Sequence, residues 1–448
     1  MMLAERLRMV STDGARFGPW LLIGIGALLF APLPTPVQLI LVIGACVIAA
    51  VAGPAATLAL VFAALPLWML EIRIGTAQFG PLELALLLCL GSVAVTLCLD
   101  VFASRSIRPV AQWIPPADVT WLAISLLALG SLSLIWVADP GLRPDSVRAL
   151  RRVIFEPLLV LPALAWLMPR DRVRNLLPWL GLPAVAVAGL ALLQMATGHS
   201  TVEIGGIGRP TGPFTHPNNL SFYLERAIWF VPLAMSPIGR LDRRWTRIAV
   251  TIVLLGCLAT LSRGASLALV AGAVIYFHAE ARKHWQRLLT LSISLIVIAV
   301  GIRYLAVTGS SISTRTEIWR SAIAMLRDHP WTGVGLDQFL GQYGRRYVSQ
   351  AGWPERYTSH PHNILLDFWL SLGIGGVIWL WALLERFWTR TRLLFDHQSG
   401  EIQRAALAMI VAGLAHGLLD NSFFLPDLAT WTWIGLMLAT PQFTRSEP

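Results

Sequence analysis

Two histidines bracket a proline in Ser359-His360-Pro361-His362-Asn363, immediately before an apolar run. An imidazole titrates near neutral pH, so either His362 or His360 can serve as a general base toward a hydroxyl. The plainer alternative is a helix N-terminus capped by polar side chains, Asn363 among them, with the histidines merely interfacial. Two histidines also raise the question of a metal. No further acidic or cysteine ligand stands at usable spacing, and Asp367 alone is a weak cue, so no metal is expected.

Three arginines stand in comparably unusual surroundings. Arg209 lies in Gly205-Gly206-Ile207-Gly208-Arg209-Pro210-Thr211-Gly212-Pro213-Phe214-Thr215-His216-Pro217-Asn218-Asn219, where Gly and Pro dictate an ordered turn and Asn218 and Asn219 can cap the next helix. A guanidinium there can grip a phosphate with two hydrogen bonds, or it can simply touch lipid headgroups. Arg263 occupies a tight turn, Ser262-Arg263-Gly264, between apolar runs, a costly place for a cation unless it meets water, a protein partner or an anion. Snorkelling to headgroups is the competing explanation. Arg315 opens a helical pattern that runs to Leu326, with Ile318, Ile323, Met325 and Leu326 expected on its buried side. The break at His329-Pro330-Trp331-Thr332-Gly333-Val334-Gly335 precedes a second expected helix over Leu336 to Val348. Trp319, Trp331, Tyr343, Tyr347, Trp353 and Tyr357 can stack on sugar rings or rest in an interfacial aromatic belt.

The elements that must position these groups cross a membrane. Of the 448 residues, 56% are hydrophobic and 13% charged. A soluble domain carries roughly twice that charge. Apolar runs recur from Trp20 to Thr440, so the expected fold is all-α, a polytopic transmembrane bundle of about 12–14 spans with a partly helical outer loop at 307–361. The expected order is a cytoplasmic tail (1–19), N-terminal spans (20–195), spans with arginine-bearing outer loops (196–306), the large loop (307–361), C-terminal spans (362–441) and a cytoplasmic tail (442–448). The net charge of +10 comes mostly from arginines in short loops and fits the positive-inside bias rather than nucleic-acid binding. That bias puts residues 196–217, the Ser262-Arg263-Gly264 turn, the 307–361 loop and the turn from Asp420 to Asp427 on one outer face. Arg143, Arg148, Arg151 and Arg152 fall on the same side against the bias, and an amphipathic surface helix would accommodate them. Glu225 and Arg226, adjacent in one span, are expected to pair with neighbouring helices. Cys46, Cys89, Cys98 and Cys257 all lie in apolar runs and imply neither disulfide nor zinc. There is no Asp-x-Asp pair, phosphate-binding P-loop or dinucleotide fingerprint.

Taken together, these pieces resemble the O-antigen ligase and polymerase superfamily of bacterial membrane enzymes, over about Arg209 to Gly376. Arg263-Gly264-Ala265-Ser266-Leu267 is similar to the ligases' Arg-x3-Leu motif. His362-Asn363, nine residues, then Gly373-Ile374-Gly375-Gly376 is similar to their His-Asn…Gly-x-x-Gly pattern. Arg209 to Phe214 with Pro217-Asn218 resembles the family's arginine-bearing outer loop, and Asp328 to Gly335 a stretch of its large loop. Ser371 stands where many members carry a glutamate, so no role of that glutamate carries over. The resemblance implies a metal-independent, cofactor-free glycosyltransferase of the inner membrane with its site facing the periplasm. It would move a glycan from undecaprenyl pyrophosphate to a lipid or saccharide acceptor, such as the lipid A core. Arg209 and Arg263, with Arg315 as a third, would hold the diphosphate, and His362 would be the base, with His360 the fallback. A polymerase joining lipid-linked repeats is the nearest alternative, and a polysaccharide or lipid transporter the alternative of another class.

Overall fold

The computed structural model describes residues 24, 34–74, 77–106, 108–168, 172–204, 206–235, 243–280, 310–395 and 400–440. The protein is all-α, apart from two short hairpins, Ile72–Ile74 with Ala77–Phe79 and Thr201–Ile204 with Ile207–Pro210. Four helical stretches among the described residues are long and apolar enough to cross a bilayer: Thr35–Leu67, Pro81–Ser104, Val173–Thr197 and Ile364–Thr391. Residues 25–33 and 281–309, where spans and the start of the large loop are expected, and both terminal tails lie outside the described residues.

Contacts divide the chain into two compact units. One takes in Met1–Pro116 and Glu156–Thr260, the other Ala117–Phe155 and Leu261–Thr444. In the first unit, α1 (Thr35–Ala64) merges two expected spans and breaks where Gly53 takes φ +79° ahead of Pro54. It packs on α2 (Pro81–Ser104). The hydroxyls of Thr57 and Ser92 join the two at 2.8 Å. Later in this unit, Glu225 and Arg226 are buried and pair with each other at 3.1 Å. The Arg226 guanidinium also donates to the Phe222 carbonyl, which keeps the buried cation solvated by protein.

The second unit holds α3 (Ala117–Ser133), α4 (Arg143–Ala149), α5 (Arg263–Glu280), α6 (Ser310–Asp328), α7 (Ile364–Phe395), α8 (Glu401–Gly417) and α9 (Pro426–Leu438). Helix α5 lies along α8, and α3 along α7. Between α6 and α7 the chain folds on a small core of its own. Ile318, Ala322, Met325, Val334, Phe339, Tyr343 and Leu370 bury one another there, and the Phe339 and Tyr343 rings stack at 5.3 Å. Ile318, Met325 and Leu326 are on the buried side as the pattern predicts, but Ile323 is 45% exposed on the opposite side of α6. The helix expected over Leu336–Val348 is a four-residue turn, Phe339–Gln342, widening into Tyr343–Tyr347. Ser146 and Gln338 tie α4 to this cap, the Ser146 hydroxyl donating to the Leu336 carbonyl at 2.6 Å.

The Gly-x-x-Gly motif has a structural explanation inside α7. Gly373 adopts φ +67°, ψ −162° and interrupts the helix. The 331–335 segment docks in the gap. Val334 and Gly335 donate to the Leu370 carbonyl at 2.7 and 3.0 Å, and Ile374 donates to the Trp331 carbonyl at 3.0 Å. Backbone groups freed by the break thus find partners, as apolar surroundings demand. A Cβ at Gly373 would collide with the Trp331 carbonyl, and one at Gly376 with that of Phe368.

Candidate functional site

The site grows from the start of α7. His362, at φ +52°, turns the chain through the left-handed region, a conformation costly for a residue with a Cβ and seen where function or packing enforces it. Asn363 then caps the helix, its Oδ1 accepting from the Leu365 and Leu366 amides at 3.0 and 3.1 Å. Its Nδ2 donates to the Leu418 carbonyl at 3.1 Å, fastening this turn to the end of α8. Gly417 permits the approach, since a Cβ there would press on Ser422 and Ile364.

What α8 delivers is Asp420. Its side chain is 2% exposed and gathers both histidines. His360 Nε2 lies 2.8 Å and His362 Nδ1 2.6 Å from Oδ1, which also accepts from the Asn421 amide at 2.9 Å. Oδ2 faces the Arg315 guanidinium at 3.7 Å. Burial alone would push this carboxyl up, but its electrostatic interaction with His362 and the hydrogen bonds from both imidazoles outweigh it and hold Asp420 well below the usual carboxylate range. An ionised carboxylate only accepts, so the protons must sit on His362 Nδ1 and His360 Nε2. His360 Nδ1 meets the Ser359 hydroxyl at 3.0 Å, leaving that ring engaged at both nitrogens. Among the described residues, His362 Nε2 carries no hydrogen bond, and its side chain is 21% exposed. The geometry therefore favours His362 over His360 as the ring able to receive a proton.

Two of the three expected arginines belong to this unit. Ser262 Oγ accepts from the Ala265 amide at 3.3 Å and starts α5, with Arg263 in its first turn and Leu261 at φ +52° before it. Gly264 is flush against His416 of α8, where any Cβ would overlap the imidazole, so the turn bearing Arg263 is seated one helical turn from Asp420. Burial lowers the pKa of Arg315. Asp420 opposes that effect, and the positive charge of Arg263 adds to it. Arg263 and Arg315 thus raise each other's electrostatic cost at one place. Arg209 belongs to the other unit. It sits on the Ile207–Pro210 strand opposite Val202, and Gln194 holds the next turn through both its amide atoms, accepting from Gly212 at 2.8 Å and donating to the Gly212 carbonyl at 3.1 Å. The helix that follows, Pro217–Ala227, is capped by His216, not by Asn218. His216 Nδ1 accepts from the Asn218 amide at 3.1 Å, because Pro217 at the first helical position leaves the next amide to be satisfied.

Asp420 is the residue that motif reading missed, although the polar turn carrying it had been placed on the same face as the other groups. Its position also removes the ground on which a metal had been set aside, the lack of a third acidic ligand, since His360, His362 and Asp420 cluster. The separations of 2.6 and 2.8 Å are nonetheless hydrogen-bond distances. Two ligands on one tetrahedral zinc stand about 3.3 Å apart. As drawn, the three groups form an acceptor with two donors.

The apolar helices mark an integral membrane protein, and the polar cluster gathers at the start of α7. Residues 248–382, which contain Arg263, Arg315, His360 and His362, match the family model for O-Antigen ligase. A relative named O-antigen ligase, from Pseudomonas aeruginosa, is 26% identical over 341 residues, covering 74% of this chain and 78% of its own.

Proposed function

We propose that the protein is a glycosyltransferase of the ligase type. It would transfer a glycan from undecaprenyl pyrophosphate to an acceptor hydroxyl, such as one on the lipid A core, at the periplasmic face of the inner membrane. The carrying observation is the buried Asp420, which holds the His362 ring by Nδ1, faces the Arg315 guanidinium at 3.7 Å, and leaves His362 Nε2 without a hydrogen bond among the described residues. In the reaction, His362 Nε2 takes the acceptor's proton as its oxygen bonds to the anomeric carbon. The bond from that carbon to the phosphate oxygen breaks, and its electron pair leaves with the polyprenyl diphosphate. Asp420 offsets the positive charge that then appears on the imidazole. Arg263 and Arg315 meet the growing negative charge on the diphosphate, relieving the repulsion they otherwise share. No metal or other cofactor is needed for these steps. Arg209 is kept as a diphosphate-binding candidate on the resemblance of its outer loop to the family's arginine-bearing loop.

The test is turnover by purified protein in detergent, with lipid-linked glycan as donor and lipid A core as acceptor, in the presence and absence of chelator. A ligated product, lost in His362→Ala and Arg263→Ala, supports the reading. Lengthening of the lipid-linked glycan without acceptor modification would make the protein a polymerase instead, and no turnover of donor in any form would sink both.

A further inference from the structure

Three residues ahead of His360, the chain presents an aromatic patch that the transfer chemistry does not use. The Arg356 guanidinium lies over two rings at once, 4.9 Å from the centroid of Trp353 and 4.5 Å from that of Tyr357. Its Nη1 also donates to the Trp353 carbonyl at 3.1 Å. Trp353 is 52% and Tyr357 75% exposed, so the rings are fixed by the cation between them rather than by burial.

The turn beneath is fastened from below. Ser349 Oγ donates to Glu317 Oε2 at 2.9 Å and accepts from the Gly352 amide at 3.0 Å, while the buried Tyr343 hydroxyl donates to the Gly352 carbonyl at 3.4 Å. Gly344 lies so close under the Arg356 carbonyl that a Cβ would press on it at 2.9 Å. Backbone hydrogen bonds Glu355 to Gly352, Arg356 to Trp353 and Thr358 to Glu355 close the turn. A surface this well supported, yet offering two large rings to solvent, is preorganised to receive something flat.

We infer that Trp353, Arg356 and Tyr357 form a saccharide subsite, seating a sugar ring of the glycan or acceptor beside the reacting bond. This rests on the proposed glycosyl transfer. A pyranose has an apolar C–H face and a rim of hydroxyls or acidic substituents. Two aromatic plates interleaved with a fork of N–H donors match both features. The guanidinium between the rings argues against burial in acyl chains, where a charge would be expensive. Tyr357 and His362 are five residues apart, at most about 18 Å between Cα atoms, a separation that a short run of linked sugar rings can span.

The test uses full-length protein in detergent micelles and, as probe, delipidated O-polysaccharide fragments from the host strain, with binding followed by saturation-transfer NMR. Trp353→Ala/Tyr357→Ala should weaken binding about tenfold or more, and Trp353→Phe/Tyr357→Phe should restore most of it. Binding of undecaprenyl pyrophosphate bearing no sugar should be the same in all variants. Unchanged polysaccharide binding in the double alanine variant overturns the subsite. So does a defect confined to insertion into phosphatidylethanolamine–phosphatidylglycerol vesicles, which would make the rings membrane anchors. Binding needs no turnover, so the two proposals separate. A fully active His362→Ala protein alongside lost saccharide binding in the aromatic variant would remove the transfer mechanism and leave the subsite standing.

Discussion

Asp420→Asn is the substitution that tests the site most sharply, because it keeps shape and removes charge. In the native protein Oδ1 accepts from His360, His362 and the Asn421 amide, while Oδ2 faces Arg315. Hydrogen bonds to a charged group are worth about 1.5–3 kcal/mol against 0.5–1.5 for neutral ones. Neutralising the acceptor of two imidazoles therefore costs about 2 kcal/mol. Leaving Arg315, 21% exposed, without its counter-charge adds a part of the 3–5 kcal/mol seen when one partner of a buried pair is removed. A loss of about 2–4 kcal/mol in stability is expected. The catalytic loss should be larger in kind. An amide can donate as well as accept, so it no longer dictates that Nδ1 of His362 carry the proton, and it offsets no charge on the imidazolium. A fall of about 10²–10⁴ in kcat, with little change in KM for the donor, is expected from losing an oriented base. The assay is initial-rate transfer in detergent with donor varied, alongside a melting curve to show that the variant is folded. His360→Ala is the control: its ring is engaged at both nitrogens, so its loss should stay within about tenfold. If Asp420→Asn keeps kcat within about threefold of wild type, or His360→Ala is as damaging as His362→Ala, the orientation argument is wrong.

Other expectations can be checked in the same preparations. His362→Ala and Arg263→Ala should abolish transfer while reaching the membrane in normal amount, read by quantitative blotting of membrane fractions beside the activity assay. Asn363→Ala removes the cap of α7 and the tie to Leu418, and should lower stability by about 1–2 kcal/mol in a thermal shift assay. Gly373→Ala forces a Cβ against the Trp331 carbonyl at φ +67° and should cost more than about 2 kcal/mol, where Ser371→Ala costs little. The Asp420 carboxyl is held below its ordinary range, so its stabilising contribution is complete above the unfolded value of about 3.9 and disappears only as pH falls through the lower folded value. Acid unfolding curves of wild type and Asp420→Asn should accordingly converge at low pH and diverge above it, and parallel curves would contradict this.

How much of this could be read from residues alone depends on distance along the chain. The membrane class was plain from apolar runs, because a bilayer imposes a length that composition reveals. His362, Asn363 and Arg263 stood out because each interrupts or introduces an apolar helix, a local signal. Arg315 was visible through the helical pattern it opens. Asp420 was not, since its partners lie 58 and 60 residues earlier and only the fold brings them together. The same limit explains Ile323: helical spacing gives a side to the helix, but which edge of that side meets the small core depends on Phe339 and Tyr343. Asn218 was misjudged as a cap because asparagine is the commoner capping residue, whereas the proline at 217 hands that position to His216.

The splice between α7 and the 331–335 segment limits how the protein can move. Withdrawing that segment would strand the Leu370 carbonyl and the Ile374 amide without the partners they now have. Those contacts make the segment a fixed sill rather than a door, and they weld the cap over Ile318 and Tyr343 to the helix that carries His362. Any route into the polar cluster at the start of α7 must open along some other edge.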